Sequence, residues 1–329
     1  MRLRYFFPLF ILVVACNSAS QEETLPLPTA TIETATIIVP VTETSLVILG
    51  TLQDAGAPQI ACKKICCKNL FDHPDKNRKV VSLGIVDPEN QKKYIFEATP
   101  DLPEQMRMLK GYAGFNEQET PDGIFLTHAH IGHYSGLMYL GKEAMNADSV
   151  PVYAMPKMKT FLKTNGPWSQ LVMRKNIAIQ ELAHQTKIEL TNNLTVIPFT
   201  VPHRDEYSET VGYKIIGPNK IVLFIPDIDK WNKWETNIIE AIAEVDYAFI
   251  DATFFDGEEI NTRNISEIPH PFIIESMKLF KDLPAVEKSK IHFIHFNHTN
   301  PVLKKDSKQV KTIIDSGFNV SHIYDLIKL

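Results

Sequence analysis

From residue 45 onward the sequence is a succession of short apolar runs that end on histidine or aspartate. "GIFLTHAH" (123–130) carries Ile124, Phe125 and Leu126 straight into His128, and "NLTVIPFTVPH" (193–203) ends at His203. "KIVLFIPDID" (220–229) ends at Asp227 and Asp229, "DYAFIDATF" (246–254) reaches Asp251, and "KIHFIHFNHTNP" (290–301) carries His292, His295 and His298. Runs this short, rich in Val, Ile and Phe and bounded by turn formers, read as buried strands. "SLVILG" (45–50), "VVSLGIVD" (80–87), "KKYIFEAT" (92–99), "PVYAM" (151–155) and "YKIIG" (213–217) extend the series. Between them, "PKMKTFLKTN", "NIIEAIAEV" and "PFIIESMKLFKDL" space their apolar residues at helical intervals, as does "YSGLMYLGKEAM" with Leu137, Leu140 and Ala144. Strands alternating with helices specify an α/β fold.

No repeat of fixed period and no linker interrupts residues 44–329, so the 329-residue chain is read as one α/β domain preceded by a leader. That leader begins Met1-Arg2-Leu3-Arg4, continues as an apolar run from Tyr5 to Ala15 and reaches Cys16. Two positive charges and about eleven apolar residues make a secretory signal, too short to span a bilayer. Val13-Val14-Ala15-Cys16 resembles a bacterial lipobox. The expectation is a signal peptide over 1–15, then an exported lipoprotein held at the bacterial membrane by acyl chains on Cys16, facing the periplasm or the cell exterior. Residues 16–43, rich in Thr, Ser, Glu and Pro and without aromatics, read as a flexible tether. The formal charge of −5 gives no electrostatic ground for a nucleic-acid partner.

Cys62, Cys66 and Cys67 form a CxxxCC cluster. In an exported chain this reads either as one disulfide with a spare thiol, Cys62 pairing with Cys66 or Cys67, or as a thiolate metal site completed by a residue such as His73.

"THAHIGH" (127–133) places three of the chain's 11 histidines within six residues. In extended chain, residues i and i+2 point the same way, so His128 and His130 can present two imidazoles to one metal, and His133 lies on the turn into the next helix. Histidine with carboxylate suits zinc first, with iron and manganese as competitors. Asp227 and Asp229 compete for the strand-end carboxylate role, since either can instead cap the segment before Trp231. Asp251 is a candidate to orient a histidine N–H. His292 is expected to be structural; His73, His184, His270 and His322 carry no motif, and surface or packing roles are expected for them. Trp168 in "NGPWSQL" reads as a pocket wall or a loop anchor.

The order HxHxxH, later His, then Asp, then C-terminal His resembles the metallo-β-lactamase superfamily, which implies a four-layer αββα sandwich holding one or two metal ions at the sheet edges. Within it, "LGTLQDAGAPQIACKKICC" and "IHFNHTNPVL" resemble the branch that contains the pyrroloquinoline quinone biosynthesis protein B, with phosphodiesterase-like and tRNase Z-like relatives. By that resemblance the first metal takes His128, His130 and His203, Asp227 bridges, and the second metal takes His133 and His295. His298 is then extra, serving in proton transfer or replacing His295. The chain departs from the family's HxHxDH pattern at Gly132, and Asp205, Glu206 or His298 can stand in for the missing aspartate. The resemblance implies a metal-dependent hydrolase of a small-molecule ester or phosphoester, working through a metal-bound hydroxide, with Asp227, His298 and Asp205 as catalytic groups. Two alternatives remain beside it: an iron-dependent oxidoreductase related to quinone cofactor biosynthesis, and a non-catalytic metal-binding module.

Overall fold

A computed structural model describes residues 38–204, 206–260 and 264–329, which fold as a compact unit from Ile38 to Leu329. The expected signal peptide and most of the expected tether lie outside the described residues, as does Asp205. Of the tether, Ile38 and Val41 pack against the core, and the Val41 N–H donates to the Tyr112 carbonyl at 2.8 Å. No helix among the described residues is long and apolar enough to cross a membrane.

The first sheet is built from β1 (Ser45–Gly50), β2 (Ser82–Asp87), β3 (Lys92–Phe96), β4 (Gly123–Phe125), β5 (Val150–Ala154) and β6 (Ile177–Glu181). The second contains β7 (Ile188–Thr191), β8 (Leu194–Thr200), β9 (Val211–Ile216), β10 (Ile221–Ile225), β11 (Tyr247–Asp251), β12 (Ile291–Ile294) and β13 (Asn319–Val320). A last strand, β14 (Leu326–Lys328), returns to the edge of the first sheet beside β1. The strand orders are β14-β1-β2-β3-β4-β5-β6 and β13-β12-β11-β10-β9-β8-β7.

Three apolar layers make this an αββα sandwich. Between the sheets, Leu46, Ile85, Phe96 and Phe125 meet Tyr213, Phe224, Phe249 and Ile294. Phe96 stacks on Phe125 at 4.8 Å and meets the Tyr213 ring edge-on at 5.2 Å, so aromatic contacts join the two sheets. Outside the first sheet, helices Leu102–Ala113, Pro156–Thr164 and Trp168–Met173 cover Val47, Ile95, Ile124 and Val152; outside the second, Ile238–Ala243, Ile273–Leu279 and Lys308–Asp315 cover Leu223, Ile250 and Phe293. β10, β11 and β4 are buried on both faces, which is why they read as unbroken apolar runs rather than alternating ones.

Strand direction positions the site. In the first sheet β3, β4, β5 and β6 are parallel, and β1 joins their direction through the antiparallel β2. In the second, β10, β11, β12 and β13 are parallel, and β8 joins them through the antiparallel β9. The C-terminal ends of β1, β3 and β4 therefore share one edge of their sheet, and those of β8, β10, β11 and β12 share one edge of theirs. Past the ends of β1 and β12 the two sheets touch through a parallel bridge between Leu52 and Phe296.

The helix expected over 134–145 is shorter. Ile131–Tyr134 is one α turn, Ser135–Leu140 is a 3₁₀ turn, and the chain leaves it at Gly141. Leu137 and Leu140 are buried as expected, whereas Ala144 is exposed. Close approach explains the tightening, because a Cβ at Gly136 would fall 2.0 Å from the Thr99 carbonyl oxygen.

Candidate metal centre

The HxHxxH segment leaves β4 under firm backbone control. The Tyr213 hydroxyl donates to the Leu126 carbonyl, Val211 N–H to the Thr127 carbonyl at 3.1 Å, and Ala129 N–H to Ser208 Oγ at 2.8 Å. His133 then closes a turn on the His130 carbonyl, while its own carbonyl accepts from Ala98 N–H at 2.9 Å. The motif is thus bonded both to the neighbouring strand and to the opposite sheet.

His128, His130, His203 and Asp227 come together as one group, each offering a ligand atom within 4.8 Å of the others. Asp227 Oδ2 is 3.4 Å from His128 Nε2, 3.9 Å from His130 Nδ1 and 3.2 Å from His203 Nε2. A second group joins His133, His295, Asp227 and Asp54. There, His133 Nε2 is 2.8 Å from Asp54 Oδ1 and 4.0 Å from Asp227 Oδ2, and His295 Nε2 is 3.9 Å from Asp54 Oδ1. Asp227 belongs to both groups, the arrangement of a bridging carboxylate.

The nitrogens turned away from the centre are held by partners, as metal-binding imidazoles require. Asp229 Oδ1 sits 3.2 Å from His203 Nδ1, so the two strand-end aspartates divide the work: Asp227 faces the centre and Asp229 orients a histidine. Asp251 receives Thr253 Oγ1 at 2.7 Å and lies 3.5 Å from His295 Nδ1. The buried Glu97, on a left-handed backbone with φ of 78°, approaches His133 Nδ1 at 3.2 Å and accepts from Thr127 Oγ1 at 2.6 Å. Thr127 Oγ1 in turn is 2.9 Å from His128 Nδ1. His295 also has a positive φ, 71°, at the point where the chain leaves β12. Two non-glycine residues in that region at one site mark backbone strain held by the surrounding structure.

Burial and the charge of His133 hold the His128 imidazole well below its ordinary value, so it stands neutral. Burial alone would also lower His133 and His295, yet the carboxylates around them outweigh it: Glu97 and Asp54 raise His133, Asp251 and Asp54 raise His295. Burial would raise Asp227 and Asp54, but the surrounding histidines hold both well below the usual carboxylate range. The donors fit a metal on a further ground. His203 Nε2, His295 Nε2 and Asp227 Oδ1 are buried without a hydrogen bond of good geometry, a condition that a coordinated cation relieves.

Three residues at the centre, Glu97, His270 and Asp54, were not legible in the sequence as site residues. His270, expected to be a surface or packing histidine, is buried with Nδ1 3.1 Å from Asp227 Oδ1 and 2.9 Å from Asp251 Oδ2. It lies on a loop before helix Ile273–Leu279, so no strand end announced it. Asp54 lies four residues past the end of β1, in a stretch that resembles the family but gave no ligand spacing.

His298 is placed elsewhere. It joins Cys62, Cys66 and Cys67, all four offering ligand atoms within 4.8 Å, and takes the place expected for the exposed His73. All three cysteines are free thiols, so the disulfide is not formed; burial and the neighbouring thiols push Cys66 up to about 12. His298 is therefore no candidate for proton transfer at Asp227, and His295 is the late histidine of the centre. Glu206 is exposed, with Oε2 3.9 Å from His130 Nε2. It also borders an open cleft of about 490 Å³ lined by Lys157, Phe161, Asn165 and Tyr207. His292 packs on Tyr247 and Phe249, in the structural role expected of it. Trp168 packs edge-on against Tyr134 at 4.8 Å and anchors the turn that carries His133.

Residues 92–295, more than half of the chain, match the model of the "Beta-lactamase superfamily domain". The chain belongs to the β-lactamase superfamily. Among superfamily relatives, "Coenzyme PQQ synthesis protein B" of Methylorubrum extorquens (strain PA1) is 23% identical over 303 residues, covering 84% of this chain and 97% of that protein. The crystal structure of Zn(2+)-bound PqqB from Methylobacterium extorquens superposes with a TM-score of 0.70 at 22% identity, covering 87% of this chain and all of the other. A diphosphatase of the PhnP family superposes at 0.58 with 20% identity, covering 87% and 96%. At these identities the superpositions establish the shared superfamily fold.

Proposed function

We propose that this chain is a metal-dependent hydrolase of an ester or phosphoester, with His128, His130 and His203 at one metal position, His133 and His295 at a second, and Asp227 between them. The observation that carries this reading is the position of Asp227 Oδ2, which faces Nε2 of His128, His133 and His203 at 3.2–4.0 Å inside a buried pocket. These residues would hold a divalent cation, zinc, iron or manganese, which when bound would supply an acidified water and a Lewis acid for the oxygen under attack. The protein's own groups hold the geometry: Glu97, Asp229 and Asp251 fix the imidazoles, and the surrounding core excludes bulk water. His270, held between Asp227 and Asp251, would serve as the proton donor to the leaving oxygen. Asp205 was expected in that role, and its position lies outside the described residues. The cleft beside Glu206 offers Phe161 and Tyr207 as apolar walls for the substrate.

The test is to purify residues 38–329, quantify bound metal, and assay model phosphodiesters and carboxylic esters before and after chelation. Activity that survives complete metal removal, or survives His128→Ala, refutes the reading. A redox role with iron has one observation in its favour, the 84% coverage by relatives named for PQQ synthesis. Iron rather than zinc in protein grown with balanced metals, together with no hydrolysis of any model ester, would favour it. Protein that binds metal yet shows neither hydrolysis nor redox activity would favour the non-catalytic metal-binding module.

The N-terminal residues support a further proposal, that the chain is exported and anchored to the membrane through lipid on Cys16. Cys16→Ala should shift the protein from the membrane fraction to the soluble one. Unchanged fractionation counts against it.

A further inference from the structure

We infer that Asp54 supplies the carboxylate ligand of the second metal position, in exchange for the aspartate that the HxHxDH pattern places where this chain has Gly132. The inference rests on the metal-centre reading and refines it at one ligand.

Gly132 is not explained by backbone freedom, because the positive-φ glycines among the described residues are Gly56, Gly114 and Gly317. Space explains it. A Cβ on Gly132 would fall 2.4 Å from Asp54 Cα, 2.9 Å from Asp54 Oδ1 and 3.0 Å from Asp54 Cβ. The nearest of these is a backbone atom of a fixed segment and cannot rotate aside. Gln53 N–H donates to the Phe296 carbonyl at 2.9 Å, and Leu52 bridges both Val80 and Phe296. A side chain at residue 132 and Asp54 in its present place therefore exclude each other.

Asp54 differs from the other carboxylates, Asp251 with His270 and His295 included, in the histidine nitrogens it faces. Glu97 and Asp251 face the outer Nδ1 atoms of His133 and His295, Asp229 faces the outer nitrogen of His203, and Glu206 is exposed beside His130. Asp54 Oδ1 instead faces Nε2 of both His133, at 2.8 Å, and His295, at 3.9 Å. With Asp227 these residues make two imidazoles and two carboxylates, a donor set for a hard or borderline divalent cation.

Manganese tests this without interference from the thiol cluster, which prefers softer ions. Wild-type protein titrated with Mn²⁺ is expected to bind two ions and give an exchange-coupled electron paramagnetic resonance spectrum. Asp54→Asn should give a single-ion spectrum and weaken the second binding step by about tenfold or more, since loss of even a supporting partner of a ligand has effects of 10–100-fold. Gly132→Ala should also weaken that step, because its Cβ would fall 2.4 Å from the Asp54 Cα and displace the segment that carries the carboxylate. Circular dichroism establishes that each variant is folded, with Asp54→Ser as a substitute for an Asn variant that is not. A coupled spectrum and unchanged affinity in Asp54→Asn, or wild-type binding by a folded Gly132→Ala, each overturns the inference. Wild-type protein that binds no Mn²⁺, Zn²⁺ or Fe²⁺ would instead overturn the metal-centre reading beneath it.

Discussion

Glu97 Oε1 lies 3.2 Å from His133 Nδ1, and both side chains are fully shielded from solvent. The same carboxylate accepts from Thr127, whose hydroxyl contacts His128, so one residue past β3 orients histidines of both metal positions. Glu97→Gln keeps the shape and removes the charge. It should weaken metal binding by about 10–100-fold, the usual effect of losing such a partner, while leaving the circular dichroism spectrum unchanged. Isothermal titration with Zn²⁺ in a competing chelator measures this, and wild-type affinity would show that Glu97 has only a packing role.

Metal binding should depend on pH in a definite direction. His133 and His295 sit above the ordinary value of 6.5 in the metal-free protein and must lose protons to coordinate. Affinity should therefore rise with pH above 6.5 and fall as these histidines protonate. For the apoprotein these two groups have the opposite effect. A histidine raised on folding contributes stability that is complete below its unfolded value and lost as pH climbs through its folded one. Chelator-treated protein should accordingly lose that contribution to Tm above about pH 6.5, whereas metal-loaded protein should hold or gain Tm over the same range. Parallel Tm profiles for the two forms would contradict the assignment.

The thiol cluster should report itself separately. Cys62, Cys66, Cys67 and His298 have the donor types of a four-coordinate zinc site. Cys66→Ser should lower zinc content by about one equivalent and lower Tm, with the manganese spectrum of the histidine centre retained. Unchanged zinc content in the variant would mean that these thiols hold no ion.

Phe96 joins the two sheets by stacking on Phe125 and meeting Tyr213 edge-on. Phe96→Ala should destabilise the domain by about 3–5 kcal/mol, the range for emptying a large aromatic from a packed core. Urea denaturation checks it; a loss below about 1 kcal/mol would mean the cavity collapses.

Residues at the ends of long apolar runs were readable from the sequence, because burial on both faces writes a strand as an unbroken hydrophobic stretch and the ligand follows at once. His128, Asp227, Asp251 and His295 are of this kind. The residues that escaped, Asp54, Glu97 and His270, depend on relations that sequence does not carry. Asp54 and Glu97 follow strands but belong to no spaced motif, and His270 reaches the centre from a loop that precedes a helix. The partition between His295 and His298 was equally hidden. It follows from the left-handed turn at His295, after which the chain carries His298 to the thiols. Gly132 was visible as a departure, but its meaning required the position of a residue 78 places earlier in the chain.

The bridge between Leu52 and Phe296 joins the two sheets at the site edge, and the candidate ligands flank it on both sides. Ions seated there would act as rivets across a seam. Their removal should loosen this edge of the sandwich first, so that amide exchange quickens at residues 51–54 and 295–298 while the interior of β10 and β11 keeps its protection. The chemistry and the closure of the fold would then draw on the same bonds.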